Sequence, residues 1–230
     1  MGSAVGAGRV DGFVLAGGVG SRMGVDKARL AWDGRPLAVV VAETLQACCE
    51  RVVLVRREED DLPWPGQEVV YEPAHPGTHP LFGVAAALEA CRTSLAMILP
   101  CDVPHIRPEH LELLRPGPCV ATVDGHLHPL VVVLPAAWSG RVLAAAEAGE
   151  SARRVVSELR QVELPAEALL NVNTPEDRRG PGPVARLTRS LSWLAPAERA
   201  QVLAGERRRL AAHGMVDLRY PPSPRRAEDG

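Results

Sequence analysis

Aromatic residues are scarce in this chain, with two Phe, two Tyr and four Trp among 230 residues, or 3%. A folded core must therefore come from Val, Leu and Ala. No apolar run approaches the roughly 20 residues that a helix needs to cross a bilayer. Long basic runs are also missing and the formal net charge is −2, which disfavours non-specific nucleic-acid binding, since that relies on clustered Lys and Arg. The five cysteines (Cys48, Cys49, Cys91, Cys101 and Cys119) include no C-x-x-C pair, and their number is odd. Neither a zinc knuckle nor a disulfide framework is suggested, and reduced, mostly buried thiols of a cytoplasmic protein are expected. Met1–Val10 is Gly/Ala-rich and lacks a basic segment followed by a signal-type apolar stretch. Two familiar phosphate motifs are absent as well: no G-K-[ST] of a Walker A loop, and no G-x-G-x-x-G.

What is present is an alternation of short apolar runs with longer helical patterns, the mark of βαβ units and a mainly parallel sheet. The hydrophobic fraction of 46% is ordinary for a globular protein. Strands are predicted at Gly12–Leu15, Arg51–Val55, Glu68–Tyr71, Ala96–Leu99, Cys119–Val123, Leu130–Leu134 and Gln161–Leu164. Helices are predicted at Leu37–Cys48 with Pro36 in its first turn, and at Leu81–Cys91, Pro108–Leu114, Ala136–Ala148 and Ala152–Leu159. The segment Arg179–Pro183 (R-G-P-G-P) reads as a linker, which places one domain at 1–179 and a tail at 180–230. Within the tail, Leu187, Leu191 and Leu194 recur at helical spacing, as do Leu203 and Leu210. That stripe fits a helical hairpin docked on its own domain or a surface for a partner chain. Pro221–Gly230 is Pro- and charge-rich and is expected to be disordered.

The chemistry concentrates after the first strand, in Leu15-Ala16-Gly17-Gly18-Val19-Gly20-Ser21-Arg22-Met23-Gly24. Glycines there let the backbone approach a ligand and turn N–H groups toward phosphate oxygens. Arg22 and Lys27 add cationic donors for a polyphosphate. A flexible Gly-rich turn would explain the glycines but not the interleaved cations at a strand's carboxyl end, where α/β sheets bind ligands. Asp102 follows another apolar strand. A carboxylate in that place suits Mg²⁺, which takes one or two carboxylates together with phosphate oxygens and water; it suits equally an Asp that caps the next turn.

The run L-A-G-G-x-G-x-R-M-G-x-D-K followed by G-R-P-L resembles the opening of the molybdenum cofactor guanylyltransferase family. The likeness recurs at His79–Gly83 (H-P-L-F-G), Pro100–Pro104 (P-C-D-V-P), His128–Leu130 (H-P-L) and Asn171–Asp177 (N-V-N-T-P-E-D), in family order across about residues 12–178. The resemblance implies an α/β, Rossmann-like nucleotidyltransferase fold, a three-layer sandwich with a mainly parallel sheet, here with a short helical C-terminal tail. It implies transfer of GMP from GTP to molybdopterin with release of pyrophosphate, and Mg²⁺ as cofactor. The family's metal-binding aspartate falls on Asp102, and Leu15, Ala16, Gly17 and Lys27 would contact the nucleotide, with Gly18 and Gly20 in the same loop. Lys27, Arg22 and Asp102 would be the catalytic set. An asparagine typical after the second strand appears as Val55, an aspartate after the third as Glu72, and the first glycine of G-P-L-x-G as His79. Glu72 keeps the charge and could still take a donor from base or ribose. Val55 offers no side-chain hydrogen bond, so base selection is expected to be looser than in relatives that keep the pattern.

Blander readings accompany several motifs. Thr174, Pro175 and Glu176-Asp177 make an ordinary helix start; Asn171 and Asn173, just before it, are candidates for orienting the acceptor phosphate or metal-bound water. His75, His79, His126 and His128 lie in loops without companion ligands and read as surface or acceptor-contacting residues rather than a metal site. Cys101, with no base in view, reads as a small packed residue. Two other functions remain open: cytidylyl transfer to molybdenum cofactor or nucleotidyl transfer to a different phosphorylated acceptor, and a non-catalytic nucleotide-binding regulator on the same fold.

Overall fold

A computed structural model describes residues 9–17, 26–58, 62, 64, 68–75 and 79–171. Seven strands form one sheet: β1 (Val10–Leu15), β4 (Arg51–Arg56), β5 (Val69–Tyr71), β6 (Leu95–Pro100), β7 (Cys119–Val123), β8 (His126–Pro135) and β9 (Arg160–Glu163), in the order β5-β4-β1-β6-β8-β7-β9. β1 lies between β4 and β6, parallel to both; β4–β5 and β7–β9 are also parallel, and β8 alone runs antiparallel to its neighbours. Two-residue strands β2 (Ala31–Trp32) and β3 (Arg35–Pro36) make a separate hairpin.

Burial of both faces explains why the strands read as continuous apolar runs. Along β6, Met97 and Leu99 face one layer while Ala96 and Ile98 face the other. The first layer holds α1 (Leu37–Gln46) and α3 (Pro108–Leu114), through Val41, Leu45, Leu111 and Leu114. The second holds α2 (Pro80–Glu89), α4 (Ser139–Glu147) and α5 (Ala152–Val156), through Leu81, Val84, Val142 and Val155. Helix, sheet and helix are thus the three layers expected. Alanines on α2 and α4 (Ala85, Ala86, Ala145, Ala146) are buried in the place that aromatic side chains take in other cores.

The amino ends of the strands are tied by Arg51. Its guanidinium donates to Asp11 Oδ2 at 2.7 Å, to both Glu68 carboxylate oxygens at 2.8 and 2.9 Å, and to the Ala90 carbonyl at 3.0 and 3.1 Å. Its donors thereby meet acceptors from β1, the approach to β5 and the end of α2, which is the arrangement a buried charge requires. All of this lies at the end of the sheet opposite the glycine-rich segment.

Several boundaries differ from expectation for visible reasons. Pro36 pairs with Ala31 in the small hairpin, whose turn Asp33-Gly34 has both φ values positive (48° and 78°), so α1 begins at Leu37. Asp124-Gly125 makes a similar turn (49° and 73°), and this lets β8 pair with β7 from His126, four residues before the predicted start. The predicted Ala136–Ala148 helix divides into a 3-10 turn (Ala136–Trp138) and α4, and α5 ends at Val156. The expected helix start beyond Asn171, the linker and the 180–230 tail lie outside the described residues.

Candidate active site

β1 and β6 deliver their carboxyl ends side by side. Leu15 pairs with Val55 on one side and Pro100 on the other, and Cys101 N–H donates to the Leu15 carbonyl at 3.0 Å. The residue after β1, Ala16, is buried and donates to the Val55 carbonyl at 2.9 Å. The ladders therefore hold the backbone rigid up to Gly17. Gly18, Gly20 and Arg22 lie outside the described residues.

The chain is described again at Asp26, and a buried arginine fixes that point. Arg56, at the end of β4, donates Nη2 to Asp26 Oδ2 at 2.8 Å and Nη1 to the Ala16 carbonyl. Asp26 also caps a 3-10 turn (Lys27–Arg29), its Oδ1 accepting from Ala28 N–H at 3.0 Å. One guanidinium thus clamps both stems of the Gly17–Asp26 segment. Arg56 was absent from the expected site; its only sequence signal was a cation ending an apolar strand.

This clamp directs Lys27 toward Asp102, with Nζ 3.2 Å from Oδ2. Asp102 follows β6 in a turn anchored by Val103 and Ile106, both buried, with Ile106 N–H donating to the Val103 carbonyl. Its side chain is 14% exposed, enough to reach a ligand. Among the described residues no cluster of three or more His, Cys, Asp or Glu could hold a metal by itself. A single carboxylate beside a glycine-rich segment is a donor set that Mg²⁺ can use, since it accepts phosphate oxygens and water for its other positions. Burial pushes the Cys101 thiol well above its ordinary value, with Asp102 and Asp26 adding to the rise. A thiol held protonated is a poor nucleophile, in keeping with its expected packing role.

Glu72 stands on the other flank of β1. Its N–H donates to the Arg56 carbonyl at 2.8 Å, continuing the ladder beyond β5. The carboxylate is 11% exposed and packs against Gly17 and against Gly83 in the first turn of α2. A Cβ on Gly17 would overlap Glu72 Oε1, and one on Gly83 would stand 3.0 Å from it. Both glycines are needed for this close approach. Val55, by contrast, is fully buried within β4 among the residues under α2, so its side chain faces the core.

The histidines separate into distinct roles. His79 caps α2, with Nδ1 accepting from Leu81 N–H at 3.4 Å, which accounts for its presence ahead of Pro80 without a metal. His75 bonds Glu72 and stacks on Phe82. His126 and His128 open β8, and burial lowers the affinity of His128 for a proton, as do His126 and Arg153 nearby. Asn171 is exposed beyond a 3-10 turn (Ala166–Leu169), and Asn173 lies outside the described residues.

Residues 12–164 match the family model for the MobA-like NTP transferase domain. The chain belongs to this family. A molybdenum cofactor guanylyltransferase of Cereibacter sphaeroides is 36% identical over 189 residues, spanning 74% of this chain and 93% of the relative. In fold, the chain is similar to the molybdopterin-guanine dinucleotide biosynthesis protein A of Archaeoglobus fulgidus (TM-score 0.57, 23% identity, 74% of this chain and 95% of that one). It is also similar to 2-C-methyl-D-erythritol 4-phosphate cytidylyltransferase of Thermus thermophilus (TM-score 0.56, 18% identity, 77% and 99%). The MobA-like assignment covers the sheet, both helical layers and the Lys27–Asp102 pair. Transfer from an NTP to an acceptor is the chemistry of this NTP transferase family. No helix among the described residues is long and apolar enough to cross a membrane.

Proposed function

We propose that the chain transfers GMP from GTP to the terminal phosphate of a molybdopterin-type acceptor and releases pyrophosphate. The observation that carries this reading is the Lys27–Asp102 pair, 3.2 Å apart where β1 and β6 end, beside a glycine-rich segment clamped at both stems. An acceptor phosphate oxygen attacks the α-phosphorus, a new P–O bond forms, and the bond to the β-phosphate oxygen breaks in line. Such a transfer depends on positioning and charge neutralisation. Asp102 would hold Mg²⁺, which when bound offsets negative charge on the phosphates. Lys27 supplies a movable point charge: paired with Asp102 in the free protein, it can turn to the phosphates once Asp102 engages the metal. Gly17, Gly18 and Gly20 leave the backbone open to the polyphosphate, and Arg22 adds a second cation. Leu15 and Ala16 form the rigid floor, Glu72 faces the nucleoside, and Asn171 and Asn173 orient the acceptor. The relative's name supports GTP and the molybdenum cofactor as partners.

Competition among the four NTPs for Mg²⁺-dependent binding tests the base assignment. GTP is expected to win; strong preference for CTP or ATP would overturn guanylyl transfer while leaving nucleotidyl transfer standing.

A further inference from the structure

Strand order separates the charges of the site. In β5-β4-β1-β6, Lys27 and Asp102 occupy the β1–β6 side, whereas Glu72 follows β5 and packs beside α2. A carboxylate repels phosphate but accepts from the N–H and O–H donors of a nucleoside. Its two oxygens are not equivalent. Oε2 is 3.1 Å from His75 Nε2, while Oε1 borders Gly17 and Gly83 and has no hydrogen-bond partner among the described residues. A carboxylate oxygen accepts, so His75 Nε2 is the donor in this contact.

His75 is built to do little else. Its side chain is 4% exposed, its ring stacks on Phe82 with centroids 3.8 Å apart and planes 13° from parallel, and its Nδ1 is buried with no hydrogen-bond partner among the described residues. The ring is thus fixed by packing, and its one polar contact among the described residues is to Glu72. We propose that His75 is the positioning residue that selects the nucleoside. By holding Oε2, it aims Oε1 at a donor of the bound nucleotide, either the exocyclic amine of a guanine-type base or a ribose hydroxyl.

This inference rests on the nucleotidyl-transfer reading above, and the two can fail separately. His75→Phe keeps the stack on Phe82 and removes the hydrogen bond; His75→Gln keeps a donor near the Nε2 position and removes the ring. Binding of Mg²⁺ complexes of GTP, ITP (which lacks the 2-amino group) and 2′-deoxy-GTP is measured by titration, and KM and kcat follow from pyrophosphate release. Losing one hydrogen bond to a charged group should weaken GTP binding in His75→Phe about tenfold, raising KM far more than it lowers kcat. His75→Gln should recover to within about threefold of the parent. The analogue that the parent protein disfavours names the donor, and His75→Phe should lose that preference. GTP affinity unchanged in His75→Phe, a His75→Gln protein weaker than His75→Phe, or a parent indifferent to both analogues would each overturn the proposal. A parent protein that binds no NTP would instead remove the nucleotidyl-transfer reading itself, and this proposal with it.

Discussion

Gly17→Ala puts the packing of the site to a direct test. The added methyl would overlap Glu72 Oε1, with Cδ 3.2 Å and the Arg57 backbone nitrogen 3.3 Å away. Since Arg57 N belongs to the main chain beyond β4, the carboxylate must yield. Restoring ordinary contact requires Oε1 to retreat by about 1 Å. Oε2 belongs to the same carboxylate, so that displacement pulls on its 3.1 Å bond from His75 Nε2; if the bond is lost, the buried imidazole has neither nitrogen satisfied among the described residues. A hydrogen bond to a charged group contributes about 1.5–3 kcal/mol. The substitution should therefore lower stability by about that amount, and should weaken GTP affinity about tenfold or more if Glu72 loses its aim. Urea unfolding reads the first effect and calorimetric titration the second. In a Glu72→Ala background the overlap with the carboxylate is gone, so the same methyl should cost much less, and the double-mutant cycle isolates the coupling. Gly17→Ala with parental stability and affinity, or equal effects in both backgrounds, would refute the packing account.

Arg51→Ala should destabilise the fold by about 3 kcal/mol, because buried Asp11 loses its cationic partner and keeps only the Arg92 N–H; GTP affinity at the opposite ends of the strands should be unchanged, as titration of the folded fraction would show. Cys101→Ala should retain transfer activity, since burial keeps this thiol protonated; complete loss of turnover in a folded variant would give the thiol a chemical role. A protein ending at Arg179 should keep NTP binding and transfer, with any deficit confined to solubility or stability. If it is folded and monomeric but inactive, the 1–179 boundary is misplaced.

The strands and the three layers were legible because a doubly buried sheet writes itself as apolar runs whose alternate residues pack on opposite faces, as Ala96–Leu99 do. β8 was cut short because His126-Leu127-His128-Pro129 is polar and half exposed; pairing with β7 across Asp124-Gly125 holds it in the sheet. The β2–β3 hairpin was too brief for any periodicity to register. Lys27 and Asp102 were found from motifs, and the structure brings them together. Arg56 is missed because it acts on other site residues, clamping Asp26 and Ala16; His75, expected at the surface or on the acceptor, is instead buried against Phe82 and holds Glu72. The partners of Arg56 are set by tertiary contact across 30 to 40 residues, which no local spacing encodes; His75 and Glu72 are three residues apart, but in a segment with no helical or strand period to mark the pair. Val55 shows the converse. A motif position suggested a contact with the nucleotide, and burial under α2 gives its side chain to the core instead.

If the Asp102 end of β6 is a metal-dependent nucleotidyl-transfer centre, turnover requires both Mg²⁺ and this carboxylate. Pyrophosphate release from GTP in the presence of molybdopterin and Mg²⁺, compared between the parent protein and a folded Asp102→Asn variant, tests it most directly. Release by the parent, lost on chelation of Mg²⁺ and abolished in Asp102→Asn, is the expected result; near-parental release by the variant would contradict the assignment of Asp102 and of the centre built around it.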